Sequence, residues 1–350
     1  VRAIVFHEHG EPDVLTGMEL PDPVAGPGQV VVAIETASLN RLDLAIRKGL
    51  PGIKVARPHV LGCEGYGHVA ALGSGVRHLA VGDPVIVTPG TSCLACEACA
   101  RGEDSLCREY RMVGYQAPGC YAEQVVAPAM AVFPADDRLT PAEWAALPLV
   151  YLTAWRMLMT RARLAPGETV LVQAAGSGVG MAAIQIARMV QAHVIATAGS
   201  AAKVEKARAI GAHEVIDYAA EDVAAEVKRL TLGRGVDVVV EHTGAATWEG
   251  SLGSLRRGGR LVTCGATDAT PIAFDLRHLF VKQFELLGSY MGGRHELMAM
   301  MKLAGPGKLQ PVIDRVFPLS DAAMAHRHLD SRAQFGKVVL SITEDVPSVS

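Results

Sequence analysis

The sequence carries little net charge: its acidic and basic residues balance to −3 at pH 7. A nucleic-acid or anionic-membrane surface therefore has no support in the composition. Long apolar runs are missing as well. The best stretch, Ala145 to Trp155, is short and carries Pro148, so no membrane span is expected. The opening residues, VRAIVFHEHGEPDVL, show no charged-then-apolar signal pattern. Aromatic residues are few, at 5%. These absences lead to the expectation of a cytoplasmic protein with neither nucleic-acid nor membrane partners. What is present is bulk for burial. Of the 350 residues 50% are hydrophobic, enough for two domains with cores of their own. The 36 glycines suit an α/β protein with many tight strand–helix turns.

Cysteine is concentrated in one place. Cys93, Cys96, Cys99 and Cys107 follow the pattern C-x2-C-x2-C-x7-C within SCLACEACARGEDSLC. The spacers carry Glu97, Gly102, Glu103 and Asp104 and have no strand periodicity, so the segment is a loop folded around a point. Four thiolates at such spacing make a tetrahedral zinc site. A disulfide reading needs an oxidising compartment, and nothing marks the chain as secreted. A site closed by four thiolates has no open coordination position, so the expected single zinc is structural. Cys63, Cys120 and Cys264 are left over.

The first ~140 residues alternate short β-rich runs with Gly/Pro punctuation, such as Gln29 to Glu35 after Gly26-Pro27-Gly28. Residues 1–147 are expected to form a barrel-like antiparallel domain, with a zinc lobe at about 91–110 as an excursion. From Glu168 onward the pattern changes. Candidate strands are Thr169 to Gln173, His193 to Thr197, Glu214 to Tyr218, Val236 to Glu241, Arg260 to Cys264 and Phe284 to Ser289. Helices fill the gaps, and six strands with crossover helices predict a doubly wound parallel Rossmann sheet over 148–290. Residues 291–350 are expected to return to the first domain through Lys337-Val338-Val339-Leu340-Ser341-Ile342, and Asp345 to Ser350 to fray.

The strand Val170 to Gln173 runs into Ala174-Ala175-Gly176-Ser177-Gly178-Val179-Gly180, and a helix opens at once. Glycines permit a tight turn and close backbone approach to a pyrophosphate, and the helix N-terminus offers free N–H groups. Gly176, Ser177, Gly178, Val179 and Gly180 are therefore the expected dinucleotide-binding loop. The second strand decides which dinucleotide. A site for NAD usually ends this strand in Asp or Glu, which accepts from the ribose 2′-OH. Here it ends in Ala198-Gly199-Ser200, with no acid before Glu205. Ser200 as a donor, Lys203 as a charge and Tyr218 as a hydroxyl would favour a 2′-phosphate, so NADPH is the expected cofactor.

With the four-cysteine lobe ahead of a dinucleotide fold, the chain resembles the medium-chain dehydrogenase/reductase superfamily over nearly its whole length. Gly62-Cys63-Glu64-Gly65-Tyr66-Gly67, Val81-Gly82-Asp83-Pro84-Val85, the four cysteines and Ala174 to Gly180 carry the resemblance. It implies a GroES-like catalytic domain, a Rossmann domain and a cleft between them, with the nicotinamide near Asn40 and Thr153. It also implies homodimers or homotetramers, paired through the last Rossmann strand. The zinc alcohol dehydrogenases of this superfamily hold a second, catalytic zinc on Cys, His and Cys. At those positions this sequence has Asn40, Cys63 and Leu149. An aliphatic side chain cannot bind a metal, and an amide is a poor zinc ligand. The zinc-free quinone oxidoreductase branch carries Asn-x2-Asp-x3-Arg-x-Gly, and Asn40, Asp43, Arg47 and Gly49 match it. That branch is typically NADPH-dependent.

Without a metal, the chemistry that fits is conjugate reduction. Simple ketone reduction builds up an alkoxide, which wants a Lewis acid. In a quinone or an enone the charge is spread, and hydrogen bonds suffice. The expected activity is NADPH-dependent reduction of a small carbonyl-conjugated substrate. Asn40 is the candidate donor and Asp43 an orienting group. Arg47 is either a further catalytic-site group or a packing ion pair with Asp43 or Glu64. Tyr151 either reaches the cleft or packs beside it. Two rivals are an alcohol or aldehyde dehydrogenase with an atypical metal site, and an NADPH-binding module with weak catalysis.

Overall fold

The computed structural model describes residues 1–49, 52–267 and 271–343; the expected fraying of Asp345 to Ser350 lies outside them. Two β systems organise the chain. In the first, the long strand Gln29–Ser38 lies between Gly65–Leu72 and Lys337–Ser341, and it also pairs with Gln124–Pro128. Pro84–Val87 and Val132–Pro134 extend the sheet on one side, Ile313–Pro318 on the other. The C-terminal strand thus joins the N-terminal half, with Val339 opposite Ser38 and Ser341 opposite Thr36. All five residues of Lys337–Ser341 are buried, which explains its run of apolar residues.

The second system is a six-stranded sheet in which every neighbouring pair is parallel. Its order across the sheet is Glu214–Asp217, His193–Ala198, Thr169–Val172, Val236–Glu241, Leu255–Thr263, Glu285–Gly288. The chain reverses direction of growth between Thr169–Val172 and Val236–Glu241. Ligands bind at such a switch point, beyond the carboxyl ends of the strands. The six strands match the sequence pattern closely except for the fifth, which starts at Leu255 rather than Arg260. Leu255 pairs with Val236, the chain then bulges, and the ladder resumes at Val238 with Arg260. Gly258, in left-handed backbone at φ 67°, makes the bulge and hides the strand from a period-two reading.

Between the two systems run the helices Pro141–Ala146 and Pro148–Trp155. Trp144, Leu147 and Leu152 share one core with Ile86 and Phe133 of the first system and with Val172 and Ala182 of the second. The apolar stretch from Ala145 to Trp155 is therefore the wall between two domains. No helix among the described residues is long and apolar enough to cross a membrane.

Candidate active site

The four-cysteine lobe leaves the first domain through a short ladder, Gly90–Thr91 against Arg111–Met112. Its four sulfurs lie within 4.8 Å of one another. Cys96 and Cys99 are 3.5 Å apart, Cys93 and Cys107 3.5 Å, and Cys93 and Cys99 3.9 Å. A tetrahedron with zinc–sulfur bonds of about 2.3 Å has edges of about 3.8 Å, so the cluster fits the ion. The N–H of Cys96 donates to Cys93 Sγ at 3.3 Å, and that of Glu109 to Cys107 Sγ at 3.4 Å. Backbone N–H groups of Ala95 and Cys96 pull the Cys93 thiol down to about 7, while Cys107, against the backbone N–H groups that donate to it, is pushed up to about 11 by desolvation and the neighbouring Cys93 and Cys96 sulfurs.

The dinucleotide loop has the shape a pyrophosphate requires. Ser177 caps the helix Gly178–Met189 and accepts from Gly180 N at 2.9 Å, leaving the first-turn N–H groups without helical partners. A Cβ at Gly180 would fall 2.3 Å from the Ala174 carbonyl oxygen. At Gly178 it would fall 2.8 Å from Val150 and 3.0 Å from the Lys337 stem. At Gly176 it would meet Phe335 at 3.3 Å. The loop is thus pressed against Gln334 to Lys337 of the other domain, and Gly336 N donates to the Gly176 carbonyl at 2.9 Å.

Ser200, Lys203 and Tyr218 converge at the end of the second parallel strand. Ser200 caps the helix Ala201–Ala209. A Cβ at Gly199 would fall 2.4 Å from the Tyr218 hydroxyl, which is how that half-exposed ring covers the strand end. Lys203 Nζ donates to the Arg332 carbonyl at 2.6 Å, and burial lowers its pKa. His242, at the end of the strand Val236–Glu241, was not singled out in the sequence. Its Nε2 lies 2.7 Å from Ser177 Oγ, and its buried Nδ1 has no partner.

Asn40, Cys63 and Leu149 stand together, as the resemblance implied. Asn40 follows the long strand Gln29–Ser38 and caps the helix Arg41–Lys48. Its Nδ2 donates to Glu64 Oε1 at 2.8 Å and contacts Cys63 Sγ at 3.5 Å. Leu149 N donates to Glu64 Oε2 at 2.6 Å. Asp43 accepts from Asn40 N at 2.7 Å and Gly62 N at 3.0 Å, so it orients both backbones. Burial pushes Asp43 up to about 7 although both N–H groups and Lys337 pull it down. Burial first, then Asp43 and Glu64, hold the Cys63 thiol well above its ordinary value. A thiol kept protonated is a weak metal ligand. Among the described residues, the four-cysteine set is the one gathered group of three or more His, Cys, Asp or Glu ligands.

Lys337 is the residue the sequence reading missed. Its Nζ donates to Asn40 Oδ1 at 2.6 Å, to the Leu39 carbonyl at 2.8 Å and to Glu64 Oε1 at 3.0 Å. The signal for it was a lysine opening an otherwise apolar strand. It occupies the role expected of Arg47. Arg47 is fully buried, but all three of its side-chain nitrogens lack hydrogen-bond partners, and it pairs with neither Asp43 nor Glu64. Its charged and titratable surroundings are Glu11, Asp330, Arg327 and Tyr121. Arg47 is therefore not brought to the Asn40 cluster: seven residues along, it lies two turns and about 10 Å further down the helix that Asn40 opens. Thr153 is 5% exposed. Tyr151 packs, donating to Gln185 Oε1 at 2.8 Å.

A dinucleotide loop, a four-cysteine lobe and a polar cluster at the joint of two domains define an oxidoreductase that uses a nicotinamide cofactor. The comparisons agree. The family described as alcohol dehydrogenase GroES-like domain matches residues 26–137, and that described as zinc-binding dehydrogenase matches 178–305. The chain is 30% identical over 351 residues to the NAD-dependent alcohol dehydrogenase of Sulfolobus acidocaldarius, covering 98% of this chain and 100% of that one. It is 31% identical over 354 residues to quinone oxidoreductase 1 of Escherichia coli strain K12, covering 96% and 98%. A crystal structure of an NAD-dependent alcohol dehydrogenase superposes with a TM-score of 0.93 at 44% identity, over 98% of this chain and 100% of that one. The chain belongs to the medium-chain dehydrogenase/reductase superfamily.

Proposed function

We propose that this protein is an NADPH-dependent oxidoreductase that reduces a quinone or an activated C=C bond, of enone or enoyl type, without a catalytic zinc. The observation that carries the reading is the donor set where zinc alcohol dehydrogenases hold their catalytic metal: an amide at Asn40, a buried thiol at Cys63 and an aliphatic Leu149. When bound, the reduced nicotinamide supplies the hydride. The chain's own residues bind, orient and stabilise charge. Gly176, Ser177, Gly178, Val179 and Gly180 receive the pyrophosphate, and Ser200, Lys203 and Tyr218 the 2′-phosphate. Thr153 lies on the interdomain helix beside the nicotinamide end. Lys337 and Glu64 fix the Asn40 amide, so that the hydrogen facing Cys63 is free to meet the substrate oxygen as negative charge develops there. Sulfur is a weak acceptor, and a substrate oxygen displaces it readily. Solvent provides the proton. One structural zinc is held by Cys93, Cys96, Cys99 and Cys107, and the working form is a cytoplasmic homodimer.

The test is a panel of quinones, enones, enoyl thioesters, aldehydes and simple alcohols, with NADPH or NADH (or their oxidised forms) and metal analysis on the same sample. The reading expects quinone or enone reduction with NADPH and one zinc per chain. A second reading, an alcohol dehydrogenase that uses NAD, is favoured by the name of the 44% identical structure. Rapid alcohol oxidation with NAD, abolished by chelation and restored by added zinc, would establish it instead.

A further inference from the structure

A buried polar chain ties the ends of three parallel strands together beneath the dinucleotide loop. Glu241 closes Val236–Glu241, and its carboxylate accepts from Thr243 N at 2.7 Å, Thr247 Oγ1 at 2.9 Å and Ser251 Oγ at 2.6 Å. Ser251 Oγ accepts in turn from Nε2 of Gln173 at 2.9 Å, one residue past Thr169–Val172. Gln173 Oε1 accepts at 2.8 Å from Thr197 Oγ1, on His193–Ala198, and that oxygen accepts from Ala174 N at 2.9 Å. Gln173, Thr197, Glu241 and Ser251 are all buried. A satisfied buried network is rigid, so the strand ends and the base of the loop form one frame.

His242 follows Glu241 directly, and the frame fixes where its ring stands. Its carbonyl accepts from Thr267 Oγ1 at 3.1 Å. Its Nε2 meets Ser177 Oγ at 2.7 Å, while its Nδ1 is buried without a partner. Burial lowers the His242 pKa against the pull of Glu241, so the ring is neutral and carries one N–H. With that proton on Nδ1, an N–H would be buried with nothing to accept it. With it on Nε2, only a lone pair is left over, the milder deficit, and Nε2 donates to Ser177. The Ser177 hydroxyl also accepts from Gly180 N at 2.9 Å. Both of its lone pairs are then taken, and its own proton goes to a third group. Ser177 is partly exposed and stands beside first-turn N–H groups that lack helical partners. An anionic oxygen arriving there accepts from the hydroxyl and the backbone together.

We infer that His242 is a positioning residue for the dinucleotide: by donating to Ser177 it turns the serine hydroxyl outward, to donate to a diphosphate oxygen. The inference rests on the nicotinamide-cofactor reading above and deepens it by naming the group that His242 serves. The diphosphate is common to NADPH and NADH, so His242 acts on both alike. Lys203, set against the 2′-phosphate, is the contrast.

The experiment titrates wild type, His242→Leu and His242→Gln, each zinc-loaded, with NADPH and with NADH by cofactor fluorescence. His242→Leu is expected to weaken binding of both about tenfold, the effect of losing one hydrogen bond to a charged group. His242→Gln is expected to restore most of that affinity, because a glutamine amide donates from the place of Nε2. A histidine that only fills space would not be replaced better by Gln than by Leu. Nitrogen NMR of histidine-labelled protein identifies the His242 ring as the signal missing from His242→Gln, and should show it neutral with its proton on Nε2. A proton on Nδ1 overturns the inference. So does a His242→Leu affinity equal to wild type, a His242→Gln no better than His242→Leu, or a loss confined to NADPH. Should His242→Leu fail to fold, the NMR result decides. If wild type binds neither cofactor, the nicotinamide reading falls and this inference with it.

Discussion

At the scale of single residues, the site turns on a buried ion pair that the chain closes over its whole length. Lys337 and Glu64 are 3% and 0% exposed at the side chain and lie 3.0 Å apart. Removing one partner strands the other charge in a dry site, so Lys337→Met should cost about 3–5 kcal/mol of stability. The double variant Lys337→Met with Glu64→Gln should recover most of that loss in chemical denaturation; equal stability for single and double variants would show that the pair is not coupled. Asn40 sits on top of the pair. Asn40→Ala should lower kcat by about 10²–10³ while leaving NADPH affinity nearly intact by fluorescence titration. Equal falls in rate and cofactor affinity would make Asn40 a scaffold only. In the proposed function Lys203 meets the 2′-phosphate of the cofactor. Lys203→Ala should weaken NADPH binding by roughly 1–3 kcal/mol, the size of a charged hydrogen bond, and leave NADH binding nearly unchanged. A matching loss for both would remove Lys203 from the 2′-phosphate.

At the scale of elements, the zinc lobe does more than close a loop. Asp104 within it accepts from Arg294 N at 2.6 Å, at the start of the helix Arg294–Met301. That helix carries Glu296, which forms a buried pair with Arg156 at 3.0 Å. The lobe therefore braces the interdomain helices from outside. Cys93→Ser should reduce bound zinc below one per chain and lower the Tm, by roughly 2–4 °C for each kcal/mol of lost bracing. Calorimetry with metal analysis checks it, and an unchanged Tm at zero zinc would show a lobe without structural weight. Sequence pattern captured these elements unevenly. The cysteine spacing and the glycine loop were legible because each acts within one short segment. The fifth parallel strand was misjudged because its bulge lies outside simple alternation.

At the scale of the molecule, the two outer strands of the parallel sheet, Glu214–Asp217 and Glu285–Gly288, each have an unpaired side among the described residues. Glu285–Gly288 ends the sheet order and pairs only with Leu255–Thr263 among the described residues. An open edge beside apolar surface invites a partner strand, and Leu276, Phe280 and Val281 nearby are 66%, 67% and 53% exposed. The proposed homodimer uses this edge, so Phe280→Lys should shift sedimentation from dimer toward monomer; a wild-type chain that sediments as a monomer at micromolar concentration would refute it. The sequence by itself determined whatever is written locally. Hydrophobic period and turn chemistry specified the parallel strands, cysteine spacing the metal cluster, and the missing acid after the second strand the lean toward NADPH. Only the tertiary structure decided which charges meet. Lys337 lies 297 residues from Asn40, and no local pattern links them. They meet because Lys337–Ser341 adds to the sheet beside Gln29–Ser38. That pairing delivers one ammonium to the centre of the site. Arg47, although only seven residues from Asn40, is carried about 10 Å away by the two turns of helix that begin there.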